Sequence, residues 1–531
     1  MDISRLKSPL LVATVGLALG FGSDLLLYDK PVGISFPIIM VAILVALVVL
    51  GIVEKGRVTW ANLGLGIPLV YLAIMSAVRA EPFLRFLNVS GALILLALLA
   101  DRLVTGPLTT LNLGNYLVSL FQTGLYSSLI APSLLKRAAT DVRAQSEGGK
   151  TMRRVLVGVL IAAPFLCIFT VLFAAADLLF NVYLDDLLGD LTLGDVVGHA
   201  LLTAALAWIV MGGLAYALTR SEKKAEADDE PAEDKPAKGF NVRGALGTLE
   251  ASIALYSIDV LFLVFVGIQF AALFGGEAFL ERHDLTYSEY ARQGFFELLT
   301  VALITLALLL ALDFVTRRES PRQRLTFLLG SGLMIALTIV ILVSAFQRLR
   351  LYELAFGFTR LRLQAHVFMV WLAILLAFFM VALLVRQTRL FATGALLAAI
   401  GFTATLNVIN PDAFIVAHNI KRYEDDPTAD TLSDTTPRAG QQVGEGLDVD
   451  YLGGLSADAV PHLMPLLTDY DQEFADEIGP WLHTQLDRAD ARQARAGWPS
   501  THLSMSRAYQ VLDTERELIE DFEPVYGYWW D

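Results

Sequence analysis

The chain has 531 residues, of which 55% are hydrophobic, and its mean hydropathy is +0.57. Soluble domains are usually about 45–50% apolar, so the composition excludes an ordinary soluble protein. The net charge is −14, and it is concentrated in residues 411–531, which hold 24 acidic and 8 basic residues. An excess of acid in this tail excludes a nucleic-acid-binding surface there, because such surfaces need clustered Lys and Arg.

The hydrophobic residues lie in continuous runs of about 18 to 25 residues, the length that crosses a bilayer as an α-helix. A helix satisfies its own backbone polar groups in lipid, so these runs predict an all-α transmembrane bundle. No cleavage site precedes Asp24, and we therefore interpret the first run as a span rather than a signal peptide. The predicted spans, about eleven in all, are 9–27, 34–53, 62–78, 86–104, 155–175, 195–218, 252–274, 295–315, 326–346, 366–385 and 390–410.

The segment 107–135 is harder to assign, because Asn112, Asn115, Gln122 and Thr123 interrupt its apolar residues. We interpret it as a re-entrant or interfacial amphipathic helix rather than a twelfth span. With that assignment and the N-terminus inside, the inner segments hold 23 of the 40 basic residues and the outer loops hold 9. The positive-inside rule then predicts a cytoplasmic N-terminus and an outer tail.

A charged segment rich in Pro and Ala divides the predicted membrane region. Its composition cannot support a packed core, which predicts a disordered cytoplasmic linker over 219–243. The predicted domains are therefore a first membrane part over 1–218, the linker, a second membrane part over 244–410 and an acidic outer domain over 411–531.

The acidic domain is predicted to start as extended chain, up to about residue 455, because Asp, Thr, Gly and Pro are clustered there. Three helices are expected after it, at 456–466, 470–491 and 499–520. A helical module of this size is near the lower limit for independent folding, so we expect it to dock on the membrane part. Its predicted core residues are Leu463, Leu466, Leu467, Phe474, Trp481, Leu482, Leu486, Trp498 and Leu503.

Three segments on the predicted outer side carry distinctive runs of polar and aromatic residues. They are Tyr287-Ser288-Glu289-Tyr290-Ala291-Arg292-Gln293-Gly294-Phe295-Phe296-Glu297-Leu298, Gly357-Phe358-Thr359-Arg360-Leu361-Arg362, and Asn410-Pro411-Asp412 followed by Asn419 and Arg422-Tyr423. Together they resemble the bacterial membrane family known as domain of unknown function 4173, with its close 4153 relatives. The resemblance covers roughly 155–520, whereas the first 150 residues match only as generic spans. It implies a multi-pass protein of the bacterial cytoplasmic membrane and supplies no activity, cofactor or catalytic residue.

The loop 347–363 is the main exception to the charge rule, because it places four arginines on the predicted outer side. One hypothesis is an anion site in which guanidinium groups bind the phosphate or carboxylate of a lipid-linked or envelope ligand. The plainer alternative is pairing with Glu289, Glu297, Glu353 or the acidic tail, since structural ion pairs are common. The candidate ligand-binding residues are Arg348, Arg350, Arg360, Arg362, Tyr290, Arg292 and Tyr352.

Within the predicted spans, Asp259 and Gln269 are candidates for an ion or proton path, because polar groups at membrane depth often have a function. Bonding between neighbouring helices is the alternative role. Asp24, Asp313 and His366 lie nearer to span ends, where we expect an interfacial position. The tail histidines have no metal-binding spacing, and the chain has no Walker A loop or nucleophile elbow. We therefore predict no metal, cofactor or catalytic residue.

Three functions stay open. The favoured one is a non-enzymatic envelope protein that binds an anionic ligand through its outer loops or a protein partner through its acidic tail. The second is a secondary transporter, which needs a polar cavity around Asp259 and Gln269. The third is a membrane transferase acting on lipid-linked substrates, which the short first outer loop at 28–33 disfavours. All three share the lipid bilayer as a partner.

Overall fold

The computed structural model describes residues 3–55, 58–145, 193–220, 246–281, 294–425, 447–495 and 497–525. The regular elements named within these ranges are helices, and ten of them are long and apolar enough to cross a membrane. The predicted all-α polytopic bundle is therefore confirmed. The predicted span at 155–175 and the predicted linker beyond residue 220 lie outside the described residues.

Local sequence explains where several bundle helices begin. Pro82 occupies the first turn of its helix, where its missing N–H leaves no hydrogen bond unmade, and the Glu81 carboxylate caps the same turn. Ser320 and Gln323 form a reciprocal capping box at another helix start. The described bundle helices are α1 (Pro9–Leu27), α2 (Ser35–Lys55), α3 (Trp60–Leu63), α4 (Gly66–Met75), α5 (Pro82–Arg102), α6 (Leu113–Gln145), α7 (Leu193–Thr219), α8 (Thr248–Glu281), α9 (Phe295–Val315), α10 (Pro321–Phe356), α11 (Arg360–Val385) and α12 (Thr388–Ile409).

One end of the bundle, which we call the tail face, is the end that contacts the acidic tail. Backbone hydrogen bonds make this contact: the Leu503 amide donates to the Ala77 carbonyl, and the Ile34 amide donates to the Thr501 carbonyl, both at 2.9 Å. Gly33 lies so close to the backbone of Thr501 that a Cβ atom there would overlap it. The loops that follow α1 and α4 therefore belong to the tail face.

The other end of the bundle, which we call the opposite face, is also defined by backbone contacts. The Thr59 amide donates to the Leu103 carbonyl at 2.8 Å, which brings the start of α3 to the end of α5. Leu246 and Thr316 form an isolated bridge between the segments that precede α8 and follow α9. These loops lie far from the acidic tail.

The predicted span at 62–78 is present as two short helices, α3 and α4, separated at Gly64–Leu65. Thr59 before α3 lies at the opposite face, whereas Ala77 after α4 lies at the tail face. The pair therefore passes from one face of the bundle to the other, as a span does, although neither helix is long enough to do so alone.

The structure differs from the prediction at 107–135, where we expected a re-entrant or interfacial helix. Residues Leu113–Gln145 form the single helix α6, about 50 Å long. Gln122 accepts a hydrogen bond from Arg220 at 3.1 Å, and the Trp208 indole donates to the Ser128 carbonyl at 2.8 Å. Residue numbers thus rise along α6 as they fall along α7, so the two helices are antiparallel.

The direction of α6 follows from that of α7. His199, near the start of α7, stacks on Tyr28 at the tail face with ring centres 3.9 Å apart. Because α7 starts at the tail face, the antiparallel α6 ends there. Lys136 and Arg137 consequently lie in the half of α6 nearer the tail face. The prediction of orientation counted them on the opposite side, so these two residues do not support it.

Two polar side chains of α6 did not require an interface because they have partners inside the bundle: Gln122 bonds to Arg220, and Thr123 bonds to backbone carbonyls. The Thr123 hydroxyl, for example, donates to the Ser119 carbonyl at 2.8 Å, one turn earlier in the same helix. Small residues also let other helices approach closely: a Cβ atom on Gly20 of α1 would overlap Ala207 of α7. Helix packing rather than surface position therefore accounts for the composition of this part.

The acidic tail is helical over Pro411–Asp425 and Val449–Gly453, which corrects the extended chain predicted up to about 455 in those two segments. Residues 426–446 of that prediction lie outside the described residues. In the helix Pro411–Asp425, the side chains of Ile415 and Val416 are buried in a core that also contains Leu363 of α11. The Asp-, Thr- and Gly-rich clusters that suggested an extended chain lie mostly beyond this helix. The described tail helices are α13 (Pro411–Asp425), α14 (Val449–Gly453), α15 (Val460–Thr468), α16 (Gln472–Arg495), α17 (Leu503–Thr514) and α18 (Arg516–Ile519).

The predicted tail core is correct for the leucines of α15 and α16, which are buried. Phe474 and Trp481 pack against that core while partly exposed. Trp498 and Leu503 were predicted in the core but are 65% and 53% exposed. Both lie at the tail face instead, where the tail meets the bundle.

Candidate functional site

The four arginines of loop 347–363 do not converge on one ligand site. Arg348 points into the bundle and donates to the Gln269 side-chain oxygen at 2.8 Å. Arg350 is exposed. Arg362 donates to the carbonyls of Phe356 and Gly357 at 3.2 and 2.7 Å.

The three other members of the predicted set either have a local role or lie outside the described residues. Tyr352 offers its ring to the Arg362 guanidinium, whose central carbon lies 4.1 Å from the ring centre. Tyr290 and Arg292 lie outside the described residues. Of the proposed acid partners, Glu353 pairs with His366 at 2.9 Å and forms no ion pair with an arginine among the described residues.

Arg360 is the predicted arginine that pairs with an acid of the tail. Its Nε and Nη2 atoms donate to the two oxygens of Asp412, each at 2.7 Å. Asp412 is fully buried and also accepts from the Ser456 amide at 2.9 Å. This carboxylate therefore joins α11, α13 and the segment before α15 at one point.

A second buried carboxylate, Asp458, fixes the tail to the start of α5. It accepts from the amides of Ala80 and Glu81 at 2.6 and 3.2 Å, and from the Ser504 hydroxyl. Burial raises the pKa of Asp458, although these donors and Arg79 oppose the shift. Two acids of the tail thus hold it against the bundle rather than facing solvent.

The intramembrane candidates occupy two separate positions on α8. Gln269 accepts from the Ser344 hydroxyl as well as from Arg348, both at 2.8 Å, so it links α8 to α10. Asp259 is buried, and its carboxylate makes no hydrogen bond with a residue that the structure describes. The two residues are ten positions apart, or about 15 Å along the helix.

A cavity of about 830 Å³ lies between the tail face and the tail. Its bundle wall is the start of α5, including Glu81 and Phe83, together with Arg360. Its tail wall comes from α16, the turn around Trp498, and α17. The contacts of Asp412 and Asp458 determine the relative position of these walls. Neither Asp259 nor Gln269 belongs to the cavity.

Two arginines on consecutive turns of α16, Arg488 and Arg492, line the cavity. Arg492 is half-buried and donates to the Ser500 carbonyl at 3.1 Å. Within the described chain, neither arginine forms an ion pair with a carboxylate. Burial and, after it, the nearby Arg85 guanidinium lower the pKa of Arg492.

The one acid among the described residues of the cavity wall is already engaged. Glu81 accepts from the Phe83 amide at 3.2 Å and from the Leu84 amide at 2.5 Å as the cap of α5. Burial raises the pKa of Glu81. Because Arg360 is neutralised by Asp412, the two cations Arg488 and Arg492 face the single carboxylate Glu81, and the cavity wall keeps a net positive charge.

His502 completes the cavity wall and is only 1% exposed. Burial, followed by the charges of Arg85 and Arg492, lowers the pKa of its ring to about 4. The ring is therefore neutral at pH 7 and adds no charge. It can donate one hydrogen bond and accept another.

Sequence reasoning missed Arg488 and Arg492, although one signal was present. Arg488 lies on the helix predicted at 470–491, and Arg492 comes one residue after its predicted end. Four residues apart in a continuous helix, they lie on the same helical face. Like charges at that spacing are mildly destabilising, and they are unexpected in a domain with three times as many acids as bases. This local excess of positive charge marked a face of α16.

The family profile described as domain of unknown function (DUF4153) matches residues 66–466, which is more than half of the chain. The chain belongs to the DUF4153 family. The predicted resemblance to the 4173 family is not confirmed; its relative, DUF4153, is the family that matches. The DUF4153 region starts at α4, well before the expected residue 155, and ends within α15. It includes the α5 and Arg360 side of the cavity, whereas Arg488 and Arg492 lie beyond it.

No curated protein and no solved structure matches the chain. DUF4153 is a domain of unknown function, so membership of the family assigns no activity to the chain. The cavity is the feature of the structure that points to a function.

Proposed function

We propose that this DUF4153 protein is a multi-pass membrane protein that binds an anionic ligand in the cavity between its tail and its bundle. The observation that supports this is the pair Arg488 and Arg492. Both line the cavity, and neither forms an ion pair with a described carboxylate, in a domain whose net charge is −16. The tail has 24 acidic residues, so carboxylate partners for these two arginines were available within the same domain.

Guanidinium groups are suited to the ligand we propose. Each presents a planar set of N–H donors that matches phosphate or carboxylate oxygens in a two-point contact. A bound anion would relieve the repulsion between Arg488, Arg492 and Arg85. The cavity volume, about 830 Å³, is within the range of small-molecule sites. The cavity is therefore suited to binding a small anion.

Inorganic phosphate is a suitable first probe. The full-length protein is purified in a nonionic detergent, and its thermal unfolding midpoint is measured against phosphate concentration, with chloride at the same ionic strength as the salt control. We expect a saturable rise of the midpoint with phosphate, because a ligand that binds only the folded state stabilises it. We expect no such rise in the double variant Arg488→Gln/Arg492→Gln.

Arg495→Gln is the matched control, since Arg495 is exposed on the same helix and does not line the cavity. It should respond to phosphate as the wild type does. An equal phosphate response in the double variant and the wild type would place the anion elsewhere and overturn the proposal. The absence of any response in the wild type would also overturn it.

We propose further that the protein lies in the bacterial cytoplasmic membrane with its tail outside. Arg317, Arg318, Arg322 and Arg324 cluster beside the bridge at the opposite face, which supports a cytoplasmic location for that end. A C-terminal fusion to alkaline phosphatase, which is active only outside the cytoplasm, tests this. The proposed orientation would be wrong if the phosphatase fusion were inactive and a fluorescent-protein fusion at the same point, which matures only in the cytoplasm, were fluorescent.

A further inference from the structure

A line of exposed apolar side chains runs from the cavity down the surface of α5. Phe83 lines the cavity and is 42% exposed, and Phe86 and Leu93 follow on the same side with 65% and 46% exposed. The spacing of three and seven residues puts all three on one helical face. Because α5 is among the helices suited to cross the membrane, this face contacts lipid.

The tail contributes apolar surface at the same level. Trp498 lines the cavity, although it is 65% exposed, and Leu503 lies beside the point where its amide bonds to Ala77 of the bundle. Trp is enriched where membrane proteins meet the headgroup region, because its ring is apolar and its N–H is polar. Large apolar groups at the junction of tail and bundle indicate contact with the membrane boundary.

The cavity therefore combines a cationic interior with an apolar exit that continues onto a lipid-facing helix. A free phosphate ion would be held by Arg488 and Arg492 and would gain nothing from Phe83 or Trp498. A lipid would use both features, since its headgroup is anionic and its chains are apolar. A position level with the start of a membrane-crossing helix also matches the depth of headgroups in a bilayer.

We propose that the ligand is an anionic phospholipid from the leaflet at the tail face. Its phosphate binds Arg488 and Arg492, and its acyl chains leave between Phe83 and Trp498 and lie along α5. This inference rests on the proposed function, because it assigns a ligand class to the same arginines. It adds a membrane-side entrance, which the phosphate site alone does not require.

The test compares a lipid with its soluble headgroup. Native mass spectrometry of the full-length protein in detergent measures the dissociation constants of phosphatidylglycerol and phosphatidylcholine, and thermal shift measures binding of glycerol 3-phosphate. We expect phosphatidylglycerol to bind at least tenfold more tightly than either phosphatidylcholine or glycerol 3-phosphate. The double variant Phe83→Gln/Trp498→Gln should bind phosphatidylglycerol roughly tenfold more weakly, the effect of losing an apolar contact of this size.

The same variant should keep the wild-type response to glycerol 3-phosphate, which also shows that its cavity is folded. Phe121→Gln is the matched control, since Phe121 is 71% exposed on α6 and lies outside the cavity. It should bind phosphatidylglycerol as the wild type does.

Equal binding of lipid and soluble headgroup, or wild-type lipid binding by Phe83→Gln/Trp498→Gln, would overturn the lipid inference and leave the anion site intact. Unchanged phosphatidylglycerol binding in Arg488→Gln/Arg492→Gln would overturn both. If both double variants lose the preference for phosphatidylglycerol, the result supports the anion site and the lipid inference.

Discussion

Arg360 at the start of α11 and Asp412 at the start of α13 form a two-point ion pair, with both N–O distances 2.7 Å. The Arg360 amide also donates to the Tyr451 hydroxyl at 2.8 Å, and Asp412 accepts from the Ser456 amide. One pair of residues thus connects a membrane helix to three segments of the tail. The bundle wall of the cavity includes this arginine, so the pair also sets the cavity's shape.

We expect Asp412→Asn to loosen the tail. The substitution leaves the Arg360 guanidinium without its counterion beside a buried amide, and removing one partner of such a pair costs about 3–5 kcal/mol. Guanidinium unfolding in detergent, followed by tryptophan fluorescence, measures the loss. Asp476→Asn is the control, because Asp476 is exposed and bonds only to Gln472 among the described residues. Equal losses in the two variants would contradict a special role for Asp412.

The sequence predicted the membrane bundle because span length is a one-dimensional signal. It also singled out both Arg360 and Asp412, in separate runs of the family resemblance. It did not predict that they pair, since they are 52 residues apart and each had several candidate partners. Pairing is decided by tertiary packing, which composition and spacing do not contain.

A second buried ion cluster connects α5 and α7 near the opposite face. Asp101 accepts from the Tyr216 hydroxyl at 2.5 Å and from Arg102 at 3.1 Å, and it pairs with Arg220. We expect Asp101→Asn to lower the unfolding free energy by about 3–5 kcal/mol, because two buried guanidinium groups lose the carboxylate they share.

Tyr216→Phe is the graded comparison for this cluster. It removes two hydrogen bonds, the one that the Tyr216 hydroxyl donates to Asp101 and the one that it accepts from Arg220, and keeps the charges. A loss of about 1–3 kcal/mol is therefore expected. Chemical unfolding of the two variants under the same conditions shows which one loses more unfolding free energy. A larger loss for Tyr216→Phe than for Asp101→Asn would show that the charges contribute little.

Two of the features that sequence reasoning placed wrongly have physical explanations. The polar residues of α6 suggested an interface, but Gln122 accepts from Arg220 and the Thr123 hydroxyl donates to the Ser119 carbonyl, both within the bundle. Trp498 and Leu503 suggested a core, yet they are more than half exposed at the tail face, where the tail meets the bundle. In a membrane protein, apolar character alone does not distinguish a core from a lipid contact. The arginines of the cavity were missed because their significance depends on the opposing wall.

Close packing between α6 and α7 leads to a third prediction. A Cβ atom on Gly212 would overlap the Ser127 carbonyl oxygen, whereas one on the neighbouring Gly213 would lie 3.5 Å from the Ser127 hydroxyl. Gly212→Ala must separate the helices and should cost about 1–3 kcal/mol. Gly213→Ala should be neutral or slightly stabilising, since Ala favours helix over Gly. Thermal unfolding of the two variants tests this: we expect a lower midpoint for Gly212→Ala than for Gly213→Ala. Similar midpoints would show that α6 and α7 are not in contact.

The buried His502 predicts how stability depends on pH. Its folded-state pKa is about 4, below the ordinary 6.5, so the unfolded chain binds a proton between these values while the folded chain does not. Stability from this residue is therefore complete above pH 6.5 and is lost as the pH falls toward 4. The difference in pKa corresponds to about 3 kcal/mol over that window. Two cations near the ring, Arg85 and Arg492, oppose its protonation, whereas the backbone of Ser76 and Arg79 favours it to a smaller extent.

We expect His502→Gln to flatten the dependence of unfolding free energy on pH between 4 and 6.5, whatever its effect at pH 7. The slope is the informative quantity, because a variant that is merely destabilised keeps the wild-type slope at a lower level. His462→Gln is the control, since His462 is exposed in the same domain. Its curve should run parallel to that of the wild type. An unchanged slope in His502→Gln would mean that other groups, such as the buried carboxylates at the tail face, govern the acid response.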